Sequence, residues 1–141
     1  MKTIIKFLGL GLGTGNLHPG PGTWGSLLGL IIASIIPPTL SIIVVFALAG
    51  IFICQKTEEL LGRHDSPQIV YDEIIGMWIA VWNVPLFLFP VSFVLFRLFD
   101  IVKFYPINNL QKLPGGLGIM LDDIAAGIIS RLLITVIMIF L

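Results

Sequence analysis

The sequence predicts an all-α, compact multihelical bundle, embedded in a membrane and built from apolar helical hairpins. Three observations carry that expectation. Of the 141 residues, 57% are hydrophobic and only 11% charged, with a mean hydropathy of +1.04, whereas an average soluble domain carries about 25% charged residues. Two long stretches, 26–54 and 74–96, hold no charge, and each is interrupted by proline. No segment shows the alternating polarity of a half-buried strand. The length suits one domain, 1–141. Disorder, a coiled coil and an ordinary water-soluble enzyme surface are disfavoured, and a formal net charge of zero gives no basic field for nucleic acid.

The elements follow in order. Met1 to Leu8 imitates a signal peptide, but its apolar part dissolves into glycine at Gly9 and no small-residue cleavage site follows. Gly9 to Gly25 holds seven of the fifteen glycines together with Pro19 and Pro21, and reads as loop. Pro37-Pro38 cuts the next apolar stretch, because proline inside a helix removes a hydrogen bond and clashes with the preceding turn. The result is two helices, about 25–36 and 39–55, joined as a hairpin. Cys54 is the only cysteine, so an internal disulfide and a Cys-built zinc or iron–sulfur site are excluded, and it reads as a buried thiol. A polar segment follows over 55–73, with Lys56, Glu58, Glu59, Arg63, His64 and Asp65; its first half continues the helix and 62–67 is loop. The 23 uncharged residues of 74–96 are long enough to cross a bilayer, but Pro85 and Pro90 favour a broken helix or second hairpin. A charged stretch, 97–112, leads to a second glycine-rich loop at Pro114–Gly118 and a final helix, 119–141, apolar except for Asp122, Asp123 and Arg131.

Neither proline turn carries charge. Two hairpins would therefore return the first glycine loop, Asp72, Glu73, Asp100 and Lys103 to one side, which the positive-inside tendency makes cytoplasmic. A 12-residue arm spans about 18 Å, short of a roughly 30 Å hydrocarbon core. The arms either extend into flanking residues or enter only part-way.

Five of the eight acidic residues fall in three places: Asp72-Glu73, Asp100 and Asp122-Asp123. A carboxylate beside an apolar helix is expensive, about 2.5–3.5 kcal/mol at mid-membrane. Asp72 and Glu73 alone could cap a helix N-terminus; both acidic pairs in so charge-poor a chain favour a metal site. Carboxylates without cysteine and with little histidine select a hard cation, Mg²⁺ first. Arg97, Asp100 and Lys103, at i, i+3 and i+6, lie along one helix face, either as a local ion-pair ladder or with Lys103 meeting a phosphate as a point charge. Gly20 to Gly25 formally matches G-x-G-x-x-G, but no strand precedes it and prolines fill it, and no G-K-[ST] exists. What remains is a set of glycine N–H groups before a helix, suited to an anion, with Thr23 and Ser26 as hydroxyl donors and His18 as a proton donor, phosphate contact or plain polar loop residue. Trp24, Trp78 and Trp82 read as packing or interfacial anchors. Cysteine-, D-x-D- and histidine-based phosphatase patterns are all missing, leaving metal-activated water as the simplest chemistry.

Four blocks together are more specific than any one of them: His18-Pro-Gly-Pro-Gly-Thr-Trp-Gly-Ser26, Tyr71-Asp-Glu-Ile-Ile-Gly-Met-Trp78, Phe96-Arg-Leu-Phe-Asp100 with Lys103 and Pro106, and Gly115-Gly-Leu-Gly-Ile-Met-Leu-Asp-Asp123 through Gly127. In that order they resemble the phosphatidylglycerophosphatase A family over nearly the whole chain. The resemblance implies a Mg²⁺-dependent lipid phosphatase of the bacterial inner membrane, multi-pass, with its site on the cytoplasmic side, converting phosphatidylglycerophosphate to phosphatidylglycerol. It implies that Asp72, Glu73, Asp122 and Asp123 are metal and catalytic positions supported by Asp100, that Arg97 and Lys103 contact the substrate phosphate, and that the Pro19–Ser26 loop forms a site wall. The rival is a small divalent-cation transporter or channel subunit, which predicts carboxylates at several depths along a pore.

Overall fold

The structure, a computed structural model, describes residues 1–64, 66–105 and 107–141; Asp65 of the predicted 62–67 loop and Pro106 of the third block lie outside the described residues. Among the described residues the chain is helical, without strands: α1 (Lys2–Gly9), α2 (Pro21–Ile35), α3 (Leu40–Leu61), α4 (Tyr71–Val81), α5 (Phe89–Val102), α6 (Ile107–Leu110) and α7 (Gly115–Ile139), with 3₁₀ turns at Thr14–Asn16 and Leu86–Leu88. Of the two expected hairpins, α4 and α5 pack as a pair across Trp82–Leu88, whereas α2 and α3, joined at Pro37-Pro38, make little contact with each other and pack on α4, and α3 on α7 as well.

The expected boundaries shift where glycine was read as loop. Helix α2 begins at Pro21, because proline at the first helical position forfeits no hydrogen bond and Gly20 supplies the left-handed residue before it. The Pro114–Gly118 loop is instead the first turn of α7. There the Gly116 N–H donates to Gln55 Oε1 of α3 at 2.7 Å, so a neighbouring helix caps the end that its own sequence leaves open. The polar residues 55–61 complete α3 up to its left-handed cap at Gly62.

Helix α4 is the axis of the bundle, packed against α7, α2, α3 and α5. Nine of its eleven residues are buried, including Trp78, whose indole N–H donates to the Gly29 carbonyl at 3.1 Å. Trp82 packs on the same core, and Cys54 is buried against Met120, as the sequence suggested. Lipid tails are as apolar as the side chains here, so helices in a membrane associate by close packing more than by the hydrophobic effect. The α4–α7 contact is built that way: a Cβ on Gly127 would lie 2.5 Å from the Gly76 carbonyl, and one on Gly76 would lie 2.8 Å from the Asp123 carbonyl.

At 1.5 Å per residue, α2, α4 and α5 reach only about 22, 16 and 21 Å. Among the described residues one helix, Leu40–Leu61, is long and apolar enough to cross a membrane. Its outer face presents Val44, Val45, Leu48 and Phe52. Where α4 stops at Trp82, short of Asn83 (φ 52°) and Pro85, Arg131 of α7 donates to the Trp82 carbonyl at 2.6 Å and bonds Thr135 as well. The broken helix thereby keeps its terminal carbonyl satisfied away from water.

Gly127→Ala places its new methyl against backbone, where nothing can swing aside. Expected is a loss of about 1–3 kcal/mol, read as a lowered unfolding midpoint in detergent, whereas Ala125→Gly should cost no more than the usual helix-propensity penalty.

Candidate active site

Three helix segments converge on one cavity of about 280 Å³. Helix α4 contributes Asp72 and Glu73 from its first turn, where negative charge suits the helix dipole. The last turns of α5 contribute Arg97 and Asp100, and Lys103 caps that helix in the left-handed conformation, φ 52°, which turns it back over the site. Helix α7 contributes Asp122 and Asp123 from its second turn. The Gly76–Gly127 contact sets the spacing between these acidic segments, because it lies one turn beyond each of them.

Charge divides the cavity into two parts. Asp100 lies between the two bases, ion-paired with Arg97 and 3.4 Å from Lys103 Nζ. Lys103 also bonds Asp122 at 2.7 Å, and Arg97 approaches Glu73 at 3.8 Å. The remaining part is acidic. Asp72, Glu73 and Asp123 each offer a carboxylate oxygen, all within 4.8 Å of one another. Glu73 Oε2 and Asp123 Oδ2 are buried without a hydrogen-bond partner among the described residues. Orphaned carboxylate oxygens converging at this distance, all hard donors, fit a divalent cation such as Mg²⁺.

Burial raises the Glu73 carboxyl well above its ordinary range, and the Asp72 and Asp100 carboxylates push it further against the pull of Arg97 and Lys103. Asp123 is raised for the same leading reason, burial, with Asp100, Asp72 and Asp122 adding to it. Burial alone would lower Lys103, but Asp122, Asp123 and Asp100 outweigh it and hold the ammonium charged.

All seven charged residues singled out in the sequence — Asp72, Glu73, Arg97, Asp100, Lys103, Asp122 and Asp123 — line this one cavity. His18, Thr23 and Ser26 are not among its described lining residues. His18 and Thr23 are exposed on the surface. Ser26 is fully buried and donates its hydroxyl to the Gly22 carbonyl at 2.8 Å, so its bonding is internal to α2. Sequence reasoning overlooked Ser66, Pro67, Ile69 and Ile101, which complete the wall. A buried serine six residues before the acidic start of α4 was the available signal, hidden because the segment reads as ordinary loop.

Comparison with known proteins identifies the family of the chain. The family model described as Phosphatidylglycerophosphatase A matches residues 7–138. A phosphatidylglycerophosphatase A of Haemophilus influenzae is 40% identical over 140 residues, spanning 92% of this chain and 86% of its own. The protein of that name from Escherichia coli is 38% identical, spanning 92% and 81%. A Bacteroides thetaiotaomicron protein with a provisional phosphatidylinositol-3-phosphatase name is 35% identical, spanning 92% and 90%. No solved structure matches the chain significantly.

The raised carboxyls fix the sign of a pH effect. A group that binds its proton more tightly when folded contributes stability below its ordinary pKa, near 4.5 for Glu73, and loses it as pH rises through the raised value. In EDTA, the unfolding midpoint should therefore fall as pH is raised from about 4.5. A midpoint that climbs over that interval would contradict the reading of Glu73 and Asp123 as acids whose burial outweighs the nearby bases.

Proposed function

The chain belongs to the phosphatidylglycerophosphatase A family, and from that premise we propose that it hydrolyses the terminal phosphomonoester of phosphatidylglycerophosphate by metal-assisted attack of water. The observation that carries this is the pairing, within one cavity, of a compact carboxylate trio with two bases on its rim. Magnesium held by Asp72, Glu73 and Asp123, with Asp100 and Asp122 at its flank, would supply Lewis-acid polarisation and a water of lowered pKa.

The chain's own groups do the rest. Lys103 and Arg97 hold the phosphate dianion and stabilise charge that develops on its oxygens. Asp100, between the two bases, keeps both turned toward the cavity; Asp122 orients the Lys103 ammonium from the other side. One carboxylate of the cluster accepts the proton of the attacking water as the new P–O bond forms and the bond to the glycerol oxygen breaks. The proton taken up by that carboxylate passes on to the departing oxygen, giving phosphatidylglycerol and inorganic phosphate and restoring the carboxylate.

The substrate is a phospholipid, and the placement of charge supports a cytoplasmic-side site in a bacterial inner membrane. Two bases, Arg97 and Lys103, line the cavity itself, whereas the uncharged stretches 26–54 and 74–96 lie outside its charged lining. Positive charge favours the cytoplasmic side. The apolar faces of α3 and its neighbours then meet the acyl chains while the headgroup reaches the cavity. The cation-transporter reading finds no support, since the carboxylates it would string along a pore are gathered at one end.

Asp72→Asn and Asp123→Asn, assayed for phosphate release from phosphatidylglycerophosphate in detergent with Mg²⁺, should each lower turnover by about 100-fold or more. Near-normal turnover in both variants would overturn the metal assignment and leave the family activity to another mechanism.

A further inference from the structure

The glycine-rich segment before and within the first turn of α2 carries chemistry that its sequence disguises as an anion-binding loop. Gly22 lies against the Glu73 side chain: a Cβ there would be 2.6 Å from Glu73 Oε1 and 3.0 Å from Oε2. Three residues on, on the same helix face, a Cβ at Gly25 would be 2.6 Å from Val70 Cβ and 3.3 Å from Glu73 Oε2. The Ser26 hydroxyl, bonded to the Gly22 carbonyl, ties this turn down. On its other side the Glu73 carboxylate faces the Arg97 guanidinium at 3.8 Å.

We infer that Gly22 is a positioning residue for Glu73: the bare face of α2 backs the carboxylate and leaves it one place to stand, beside Asp72 and Asp123. This rests on the reading of Glu73 as a cation ligand. The two glycines differ in what a methyl group would meet. At Gly25 it strikes Val70, the residue that starts α4, so the packing of α2 on α4 must change. At Gly22 the three nearest atoms are all of the Glu73 carboxyl end, which can swing away while the helices stay put. Substitution at Gly22 therefore displaces the ligand and spares the fold.

The test is a double-substitution cycle of Gly22→Ala with Glu73→Asp, because the shorter acid withdraws the carboxylate from the methyl group. Mn²⁺ binding to the purified, detergent-solubilised protein, followed by the spin-resonance signal of the free ion, is the first readout. Gly22→Ala alone should weaken binding about tenfold or more. In the Glu73→Asp background the same substitution should change it by less than about twofold. Equal losses in both backgrounds overturn the proposal. The turnover number for phosphatidylglycerophosphate gives a second cycle that does not depend on measuring the ion. If the wild-type protein binds no Mn²⁺, the ligand reading fails, and coupling or additivity in turnover alone decides the positioning role. Should Gly22→Ala fold poorly, the cycle is read on the unfolding midpoint, where absence of rescue by Glu73→Asp counts against the proposal.

Discussion

Everything at the cavity depends on how closely α4 and α7 approach. The two helices touch backbone to backbone at Gly76 and Gly127, and the acidic residues stand one turn away on the cavity side of that contact. Any side chain at either glycine would separate the helices and with them Asp72 and Glu73 from Asp123. The same device recurs at Gly50, which admits Tyr71 and Met120, and at Gly116, which lies against the Ile51 carbonyl. Close approach is how helices bind one another where burial of apolar surface gives little advantage. Here it also sets the geometry of the charged groups.

A second constraint is electrostatic. The cavity holds five carboxylates and two bases, so with all groups ionised it carries three uncompensated negative charges. Arg97 and Lys103 are both drawn to Asp100, Lys103 also to Asp122 and Arg97 more distantly to Glu73, so two bases are shared among five carboxylates. Protons taken up by Glu73 and Asp123, or a bound divalent ion, are the two ways such a cluster becomes tolerable. That competition between proton and metal follows from the side-chain inventory alone, whatever lipid occupies the cavity.

The sequence was informative where a residue type has one meaning and misleading where it has several. Pro37-Pro38 and the Pro85–Pro90 interval mark breaks in apolar runs; the second break gives a packed pair, α4 with α5, while the first separates two helices that pack on α4 more than on each other. The acidic pairs stand out because charge is scarce, and the structure brings them together across 51 residues of chain, from Asp72 to Asp123. Glycine was harder to read. At Gly22, Gly25, Gly115 and Gly116 it belongs to helices, and its value lies in what it lets a neighbour approach, which no local pattern records. For the same reason the start of α2 was not legible, and Ser26, placed in a loop by the sequence, bonds within the helix.

The long separation between the acidic segments also bears on how the chain folds. Without α7, helices α4 and α5 bring Asp72, Glu73 and Asp100 together with Arg97 and Lys103, a net charge of −1 with all groups ionised. Docking of α7 adds Asp122 and Asp123, so repulsion among carboxylates opposes a pairing that the glycine contact otherwise makes close. A divalent cation bound there would offset that repulsion and favour the docked state of α7. The site and the docking of α7 share the same few atoms.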